Sequence, residues 1–441
     1  MIQYELPTAA TAPLTDVGSH FVANYPPFST WGEEAIPELE EELDVGSAGK
    51  PLSLYVHLPF CRRRCSYCYF RVHEGSKPPV VELYIDAVLR ELALYNTRPA
   101  LDGRRLVSVY FGGGSPTFLA AHQLRRLLSG LRSQIPWDSV IECTVECDPG
   151  TLTTERLLAL QAGGVTRLSL GFQTLSPRAL RESGRTATAD ECFESLHLAR
   201  TAGFDQINVD LLAGLPGETE STWIDTVERV AALGPECVTI YQLELSHNSL
   251  LHQRSACGHV VELAGWPQKR RWVDRAFRVL EDAGYTIASG YMAVRDPARW
   301  RFVYTVENFW HGEDLLALGE SAFGHFGGVH YQNSDQLGRY LALVNRGSLP
   351  VRRAHRLSSE EALRREAILQ LKTGVLDFAY FRAKHGVDLR EKLRGEIEWL
   401  ELRGMAESAD DGIRLTREGL LQVDWLLPVL YLEEHRGIRY T

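Results

Sequence analysis

The chain has 441 residues, of which 44% are apolar, 24% charged and 10% aromatic, a composition that supports a large hydrophobic core and more than one domain. Its formal net charge of −10 excludes a nucleic-acid partner held mainly through phosphate contacts. No run of about 20 apolar residues is present, so no membrane span is expected, and the opening "MIQYELPTAATAPL" lacks the basic and apolar regions of a secretory signal, so the expected location is the reducing cytoplasm.

Residues 1–50 read as an N-terminal arm. "NYPPFSTWGEE" is rich in turn formers, "EEAIPELEEELD" suits a short acidic helix, and "GSAGKP" reads as a linker. A repeating pattern follows. Short β-branched runs at 52–59, 106–113, 140–147, 166–173, 206–214 and 237–245 read as strands. Segments of helical period at 80–96, 119–133, 153–162, 189–202, 219–233 and 267–284 follow them in alternation. Six βα units in succession predict a parallel sheet with helices outside, best described as a partial (β/α)6 barrel over residues 51–350 with its extension. In such a fold chemistry gathers at the C-terminal ends of the strands. The polar and reactive residues fall there: Cys61–Cys68 after the first strand, "GGGSPT" after the second, then Glu146, Gln173, Asp210 and Glu244.

From about residue 355 a helical domain is expected, assigned to 351–441. Ser358 and Glu361 form a capping-box pair, "GMAESADDGIRLT" reads as a hairpin, and "REGLLQVDWLLPVLY" as one closing helix. Helices with a β-wing predict a winged-helix-like module. Its helix "DLREKLRGEIEWLE" is mixed in charge, which suits a lid or scaffold better than a DNA reader.

The segment "CRRRCSYCYF" places three of eight cysteines at C-x3-C-x2-C spacing. Three is odd for disulfides and one short of a closed zinc site. A [4Fe–4S] cluster takes one thiolate per iron, so three thiolates would hold three irons and leave the fourth open to a small ligand. Cys143 and Cys147 also share a strand face, where core packing is the preferred reading over a second cluster. Cys192, Cys237 and Cys257 are isolated.

"YVHLPFCRRRCSYCYF", "YFGGGSPT", "VECDP", "RLSLGFQT" and "INVDLLAGLPGET" together resemble the radical SAM superfamily, in particular the oxygen-independent coproporphyrinogen III oxidase-like family. The resemblance runs from about residue 50 to the C-terminus. It implies a [4Fe–4S] cluster on Cys61, Cys65 and Cys68 and two molecules of S-adenosylmethionine (SAM). Tyr55, Tyr67, Gly113, Gly114, Glu146 and Phe323 would contact the first. Gly114, Ser115, Gln173, Arg185, Asp210 and Glu244 would line the second. Glu244 departs from the small residue usual there. Catalytic candidates beyond the cofactors are Glu244 and His325, with an ordinary loop histidine the alternative for His325. His57 reads as a support for the cluster loop. An external one-electron donor such as flavodoxin or ferredoxin is implied, and the aromatic arm residues Tyr25 and Trp31 hint at a planar, unsaturated acceptor.

Three reactions are open within that resemblance. The oxidase has a further cysteine after the loop and a basic arm, whereas "CSYCYFRVHEG" and the acidic arm here have neither. The heme chaperone has a His-Asn pair before Tyr-Trp, whereas "TVENFWHGED" keeps only the aromatic pair Phe309-Trp310. The remaining features lead to the expectation of a class C radical SAM methyltransferase or cyclopropanase, which moves a methyl or methylene group to an sp2 carbon, with oxidative decarboxylation as the alternative.

Overall fold

Alternation along "PLSLYVHL" orients the whole sheet. In β1 (Pro51–Leu58) the side chains of Leu52, Leu54, Val56 and Leu58 are fully buried against helices, while Ser53, Tyr55 and His57 turn to the opposite face. The computed structural model describes residues 23–257 and 262–438, and the opening "MIQYELPTAATAPL" lies outside them. Five more strands follow in parallel: β2 (Arg105–Gly113), β3 (Glu142–Cys147), β4 (Arg167–Gln173), β5 (Gln206–Ala213) and β6 (Cys237–Gln242).

Each strand is followed by a helix on the outer face, spanning Pro78–Tyr95, Ala121–Arg132, Thr154–Ala162, Ala189–Thr201, Glu220–Leu233 and Trp266–Asp282. Polar side chains start several of them. Thr153 accepts from the Arg156 amide, and Thr188 and Glu191 cap each other's backbone reciprocally. Trp223 and Trp272 are buried between the last two helices and the sheet, and the Trp223 indole donates to the Trp272 carbonyl.

The six expected βα units are therefore present, and the partial barrel is extended at both edges. β7 (Thr286–Ile287) and β8 (Met292–Val294) flank β6. β9 (Leu315–Leu318), β10 (Phe323–Phe326), β11 (Val329–Asn333) and β12 (Val351–Arg356) flank β1. The order is β12-β11-β10-β9-β1-β2-β3-β4-β5-β6-β8-β7, twelve strands in one sheet. β9 lies parallel to β1 and the outer strands antiparallel.

The C-terminal module has its own apolar cluster around the helix Ser359–Leu371, which opens with the expected Ser358–Glu361 capping box. A small sheet of β13 (Val375–Asp377), β14 (Ala406–Ala409) and β15 (Gly412–Leu415) forms the wing. The single closing helix expected over 417–431 is instead broken into Arg417–Leu421, Val423–Leu426 and a 3-10 turn Leu427–Leu430. Gln422 leaves helical dihedrals and donates to the Met405 sulfur, and Pro428 has no amide hydrogen to continue the ladder.

The arm is tied at both ends. The Tyr25 hydroxyl accepts from the Leu432 amide and pairs with the His435 ring, Trp31 stacks on His330 at 5.0 Å, and Gly32 bridges to Ala354. The acidic helix forms at Ile36–Leu43, with Leu39 and Leu43 in the barrel core and Glu38 and Glu42 on Arg356. Among the described residues no helix is long and apolar enough to cross a membrane.

Candidate active site

The cysteine loop leaves the C-terminal end of β1 and is held mostly by backbone bonds. Phe60–Cys61 pairs with His73–Glu74, the Ser66 amide donates to the Ser183 carbonyl, the Leu251 amide donates to the Ser66 carbonyl, and the Cys68 amide closes a turn on Cys65. Arg64 donates to the carbonyls of Cys68 and Asn248 at 2.9 and 2.7 Å. All three thiols are free and partly exposed, and Arg185 Nη1 stands 3.8 Å from the Cys65 sulfur. Burial and then the neighbouring thiols push the Cys61 pKa up, and burial and Cys65 push Cys68 up to about 11. Three sulfurs this close cannot all ionise without a cation between them. Among the described residues no three ligating side chains converge on one metal ion. A four-iron cluster does not require that, because each thiolate meets a different iron.

Gly113 and Gly114 press the end of β2 against this loop. A Cβ on Gly114 would lie 2.7 Å from the Phe60 carbonyl oxygen and 2.8 Å from its nitrogen. Gly113 has φ 108° and abuts the His57 ring. Gly114 therefore admits the loop's own backbone, and Gly113 admits the His57 ring. Ser115, buried, donates its amide to the Phe60 carbonyl.

Behind the loop the inward side chains of β1–β6 form a polar belt. The Tyr110 hydroxyl donates to Glu146 Oε1 at 2.8 Å, and the Gly113 amide donates to Oε2 at 3.2 Å. Burial raises the Glu146 pKa to about 7, against the pull of the Tyr110 bond. Asp210 accepts from Ser169 Oγ and Asn208 Nδ2, each at 2.8 Å, and Thr239 donates to Asn208. Burial raises Asp210 also, opposed by Ser169 and Arg167. The Tyr55 hydroxyl bonds His57 Nδ1 at 2.9 Å. The imidazole pKa is lowered to about 4 by burial and then by His73, so the ring is neutral. His57 Nε2, Ser66 Oγ and Arg185 Nε are buried without a partner among the described residues, as expected of groups that await a ligand.

The remaining expected residues divide. Arg185 joins the loop to β4 through the Gly171 carbonyl and Asp148. Gln173 ends β4 at φ 66°, after a register shift from Gly171. A non-glycine residue in that region is uncommon and costs backbone strain. Tyr67 packs against the small apolar cluster of Ala179, Leu212, Leu215, Leu243 and Leu251. Asp210 sits within β5 rather than at its end, because the apolar run continues to Ala213. Glu244 lies beyond β6, which stops at Gln242. Phe323 rests on Phe28 at 4.4 Å. His325 is buried with its Nδ1 3.1 Å from that of His330, beneath the arm rather than in the acidic belt. Cys143 and Cys147 face the outer core with Val145.

Sequence reasoning missed Tyr110 and Tyr304, which stack on each other at 4.7 Å and on Tyr55 at 6.1 and 6.4 Å. Tyr304 arrives on the π-helical turn Val303–Asn308, anchored by its own amide and that of Val303 on the buried Glu142 carboxylate. The inward position of Tyr110, two residues before Gly112, was readable from alternation. Tyr304 carries no local signal.

Residues 55–230 match the family model described as the Radical SAM superfamily, and 357–421 match the HemN C-terminal domain. An oxygen-independent coproporphyrinogen III oxidase of Pseudomonas aeruginosa is 31% identical over 400 residues, 86% of this chain and 85% of its own length. The chain belongs to the radical SAM superfamily, in its HemN/HemW-like branch. The heme chaperone HemW of Bacillus subtilis is 28% identical over 84% of this chain and 96% of its own length. Coproporphyrinogen III oxidase (HemN) from Escherichia coli has the same fold, with a TM-score of 0.81 at 24% identity over 93% of this chain and 96% of that one. Its cofactors are a [4Fe–4S] cluster and SAM, and the expectation of two SAM molecules fits the oxidase-type relatives. The methyltransferase or cyclopropanase expectation is corrected by these relatives. The curated relatives that match 84–86% of the chain are oxidases and a heme chaperone, which favours the oxidase alternative over methyl transfer. The expectation rested on the retained two-SAM residues together with the missing cysteine, the acidic arm and the replaced His-Asn pair, and the end-to-end similarity to these relatives outweighs them.

Proposed function

We propose that the chain is an oxygen-independent coproporphyrinogen III oxidase-type enzyme that oxidatively decarboxylates propionate side chains of a reduced tetrapyrrole. The observation that carries this reading is the end-to-end similarity to the Pseudomonas aeruginosa oxidase. Cys61, Cys65 and Cys68 would hold the cluster, which with SAM bound supplies hydrogen-atom abstraction. Tyr55, Tyr67, Glu146 and the Phe323 backbone would hold the first SAM. Ser115, Gln173, Arg185 and Asp210 would hold the second, with Glu244 beside it. The chemistry of these groups suits that division: a guanidinium grips a carboxylate and a carboxylate grips an ammonium. The belt around Glu146 and Asp210 would fix SAM by hydrogen bonds, and the loop glycines keep the cysteines against it.

Tyr69 and Phe70 support a flat substrate. They follow Cys68 directly, stack at 4.4 Å, and are 38% and 43% exposed. An apolar ring face laid on them would cover that area. A net loss of one hydrogen atom, one electron and CO2 converts a propionate to a vinyl group, so the reaction also needs an electron acceptor.

The test is anaerobic reconstitution followed by incubation with SAM, reductant and coproporphyrinogen III. Release of CO2 with 5′-deoxyadenosine and a vinyl product supports the proposal. The similarity to HemW over 96% of that chaperone favours heme binding as the second reading. Tight stoichiometric heme binding without CO2 would replace the oxidase reading with it.

A further inference from the structure

A carboxylate-rich substrate needs cations at the mouth of the site, yet residues 1–49, the arm, contain no Lys or Arg. The far edge of the sheet supplies them. β9 runs parallel to β1, so the antiparallel strands beyond it bring Phe323, Asn333 and Val351 to the C-terminal end of the barrel strands. Cross-strand partners share a face, and Phe323, Gln332 and Arg353 therefore form one row across β10, β11 and β12. The arm lies on that row: the Phe28 ring is 4.4 Å from Phe323, and the Arg353 guanidinium is 6.0 and 5.9 Å from the Phe28 and Trp31 rings. Arg353 Nε donates to Gln332 Oε1 at 2.7 Å and Nη1 to the Phe28 carbonyl at 2.6 Å, which leaves Nη2 without a partner among the described residues. Arg352 is the extra residue of a bulge, because Gln332 pairs with Arg353 and Asn333 with Val351. It meets the Asp335 carboxylate at 2.5 Å. Arg71, directly after the exposed Tyr69–Phe70 pair, donates to the Asp335 carbonyl at 2.6 Å. Arg352 is near enough to Arg353 to work, after burial, against its charge, and Asp335 opposes that effect. Three guanidiniums thus gather about the one carboxylate of Asp335.

We infer that Arg353, flanked by Arg352 and Arg71, is the subsite that takes a propionate carboxylate of the substrate while the substrate's ring rests on Tyr69 and Phe70. The substrate class is that of the oxidase reading, on which this subsite rests. A guanidinium presents its donors in a plane that matches a carboxylate. Two bonds, to Gln332 and to the arm, fix the plane of Arg353 and leave one donor over. Gln332 also donates to the Ser321 carbonyl at 3.4 Å, in the turn that leads to Phe323, so one side chain braces both the subsite and the residue expected at the adenine of SAM. Asp335 competes with the incoming carboxylate for Arg352 and repels it by like charge. Its removal should therefore strengthen binding, an effect that a purely structural ion pair does not give.

The test is fluorescence titration of the reconstituted full chain with coproporphyrin III, the stable oxidised tetra-acid. Its ester with short ethylene glycol chains is the uncharged, soluble control. The parent should bind the acid more tightly than the ester. Arg353→Gln should weaken binding of the acid about tenfold and leave the ester unchanged. Arg352→Gln, which keeps every contact of the arm, should weaken the acid about threefold, and Asp335→Asn should tighten it about threefold. In turnover of coproporphyrinogen III, Arg353→Gln should raise KM by about the factor seen in binding, with kcat held within about twofold of the parent. A parent with no preference for the acid, equal weakening of acid and ester in Arg353→Gln, or unchanged binding of the acid in Arg352→Gln and Asp335→Asn overturns the inference. Release of CO2 by the parent reports on the oxidase reading separately. Its absence with the acid preference intact sinks that reading and keeps the subsite, whereas CO2 release with KM unchanged in Arg353→Gln and Arg352→Gln does the reverse.

Discussion

Glu91 offers a test of the support beneath the site. It is fully buried on the helix Pro78–Tyr95, where it accepts from the Gly319 amide at 2.8 Å, the Tyr340 hydroxyl at 2.7 Å and Asn333 Nδ2 at 2.6 Å. Gly319 begins the turn that leads to Phe323. Burial raises the Glu91 pKa from 4.5 to about 7, with the three donors pulling it down. The folded chain therefore holds this proton more tightly than the unfolded chain. The carboxyl's contribution to stability is complete below about pH 4.5 and is lost as pH rises through 7. At about 1.4 kcal/mol per unit, the loss between pH 5 and pH 8 is about 2.5 kcal/mol. Glu91→Gln cannot titrate, so its stability lacks this component. The variant also has a pH-independent cost of about 1 kcal/mol, because an amide facing Asn333 forces that side chain to turn and give up its bond to the Gly319 carbonyl at 3.0 Å. Urea unfolding of both full chains from pH 5 to pH 8 should show the parent's advantage shrinking by about 2.5 kcal/mol as pH rises. Parallel curves would refute the argument that Glu91 is buried, neutral at low pH and ionised at high pH.

Alanine at Cys61, Cys65 or Cys68 should abolish the brown chromophore and lower bound iron after anaerobic reconstitution, whereas alanine at Cys143 or Cys147 should leave iron content intact, because those thiols face the outer core. Gly114→Ala should lower cluster retention and cost about 1–3 kcal/mol, since its new methyl meets Phe60 backbone atoms that cannot move without the loop. Gly395→Ala, in an open helical position, should instead be neutral or stabilising by up to about 1 kcal/mol in thermal unfolding. Tyr110→Phe removes a donor to an ionised carboxylate, so it should raise the Glu146 pKa from about 7 by roughly another unit. That shift should appear as an alkaline displacement of the ionisation seen in the pH profile of SAM binding.

Most of the barrel was legible because its information is local. Alternation in "LSLYVHLP" and "LVSVYFGG" fixes which residues face the helices, and the helix-period segments at 153–162, 189–202 and 219–233 recur as Thr154–Ala162, Ala189–Thr201 and Glu220–Leu233. Where a strand stops is less local. The strand read at 206–214 already runs past Asp210, which lies three residues short of its end at Ala213, whereas β6 loses its partner strand before Glu244 with no local sign. Contacts between distant segments were not legible at all. Glu142 is an ordinary strand residue in sequence, yet it anchors a turn 161 positions away that delivers Tyr304 to the belt. His325 sits in a Gly-rich stretch that reads like a site loop, yet its ring is taken up by His330 under the arm.

The choice of reaction failed for a related physical reason. A radical SAM scaffold has to solve the same problem whatever its substrate: present three thiolates beside a polar belt that holds SAM. In this chain the three cysteines follow β1 and the polar belt is built from inward side chains of β1–β6, in motifs that are contiguous and easy to read. Specificity for the substrate falls to surfaces that face the belt from elsewhere. Aromatic surfaces outside the contiguous motifs are the Tyr69–Phe70 pair, the Tyr304 turn, and the arm residues Phe28 and Trp31 packed on Phe323. They come from four separate stretches of sequence, and each is an aromatic residue whose local setting is equally compatible with core packing. A single missing cysteine after the loop says little about that assembled surface. The similarity to oxidases and chaperones over 84–86% of the chain constrains the reaction far more.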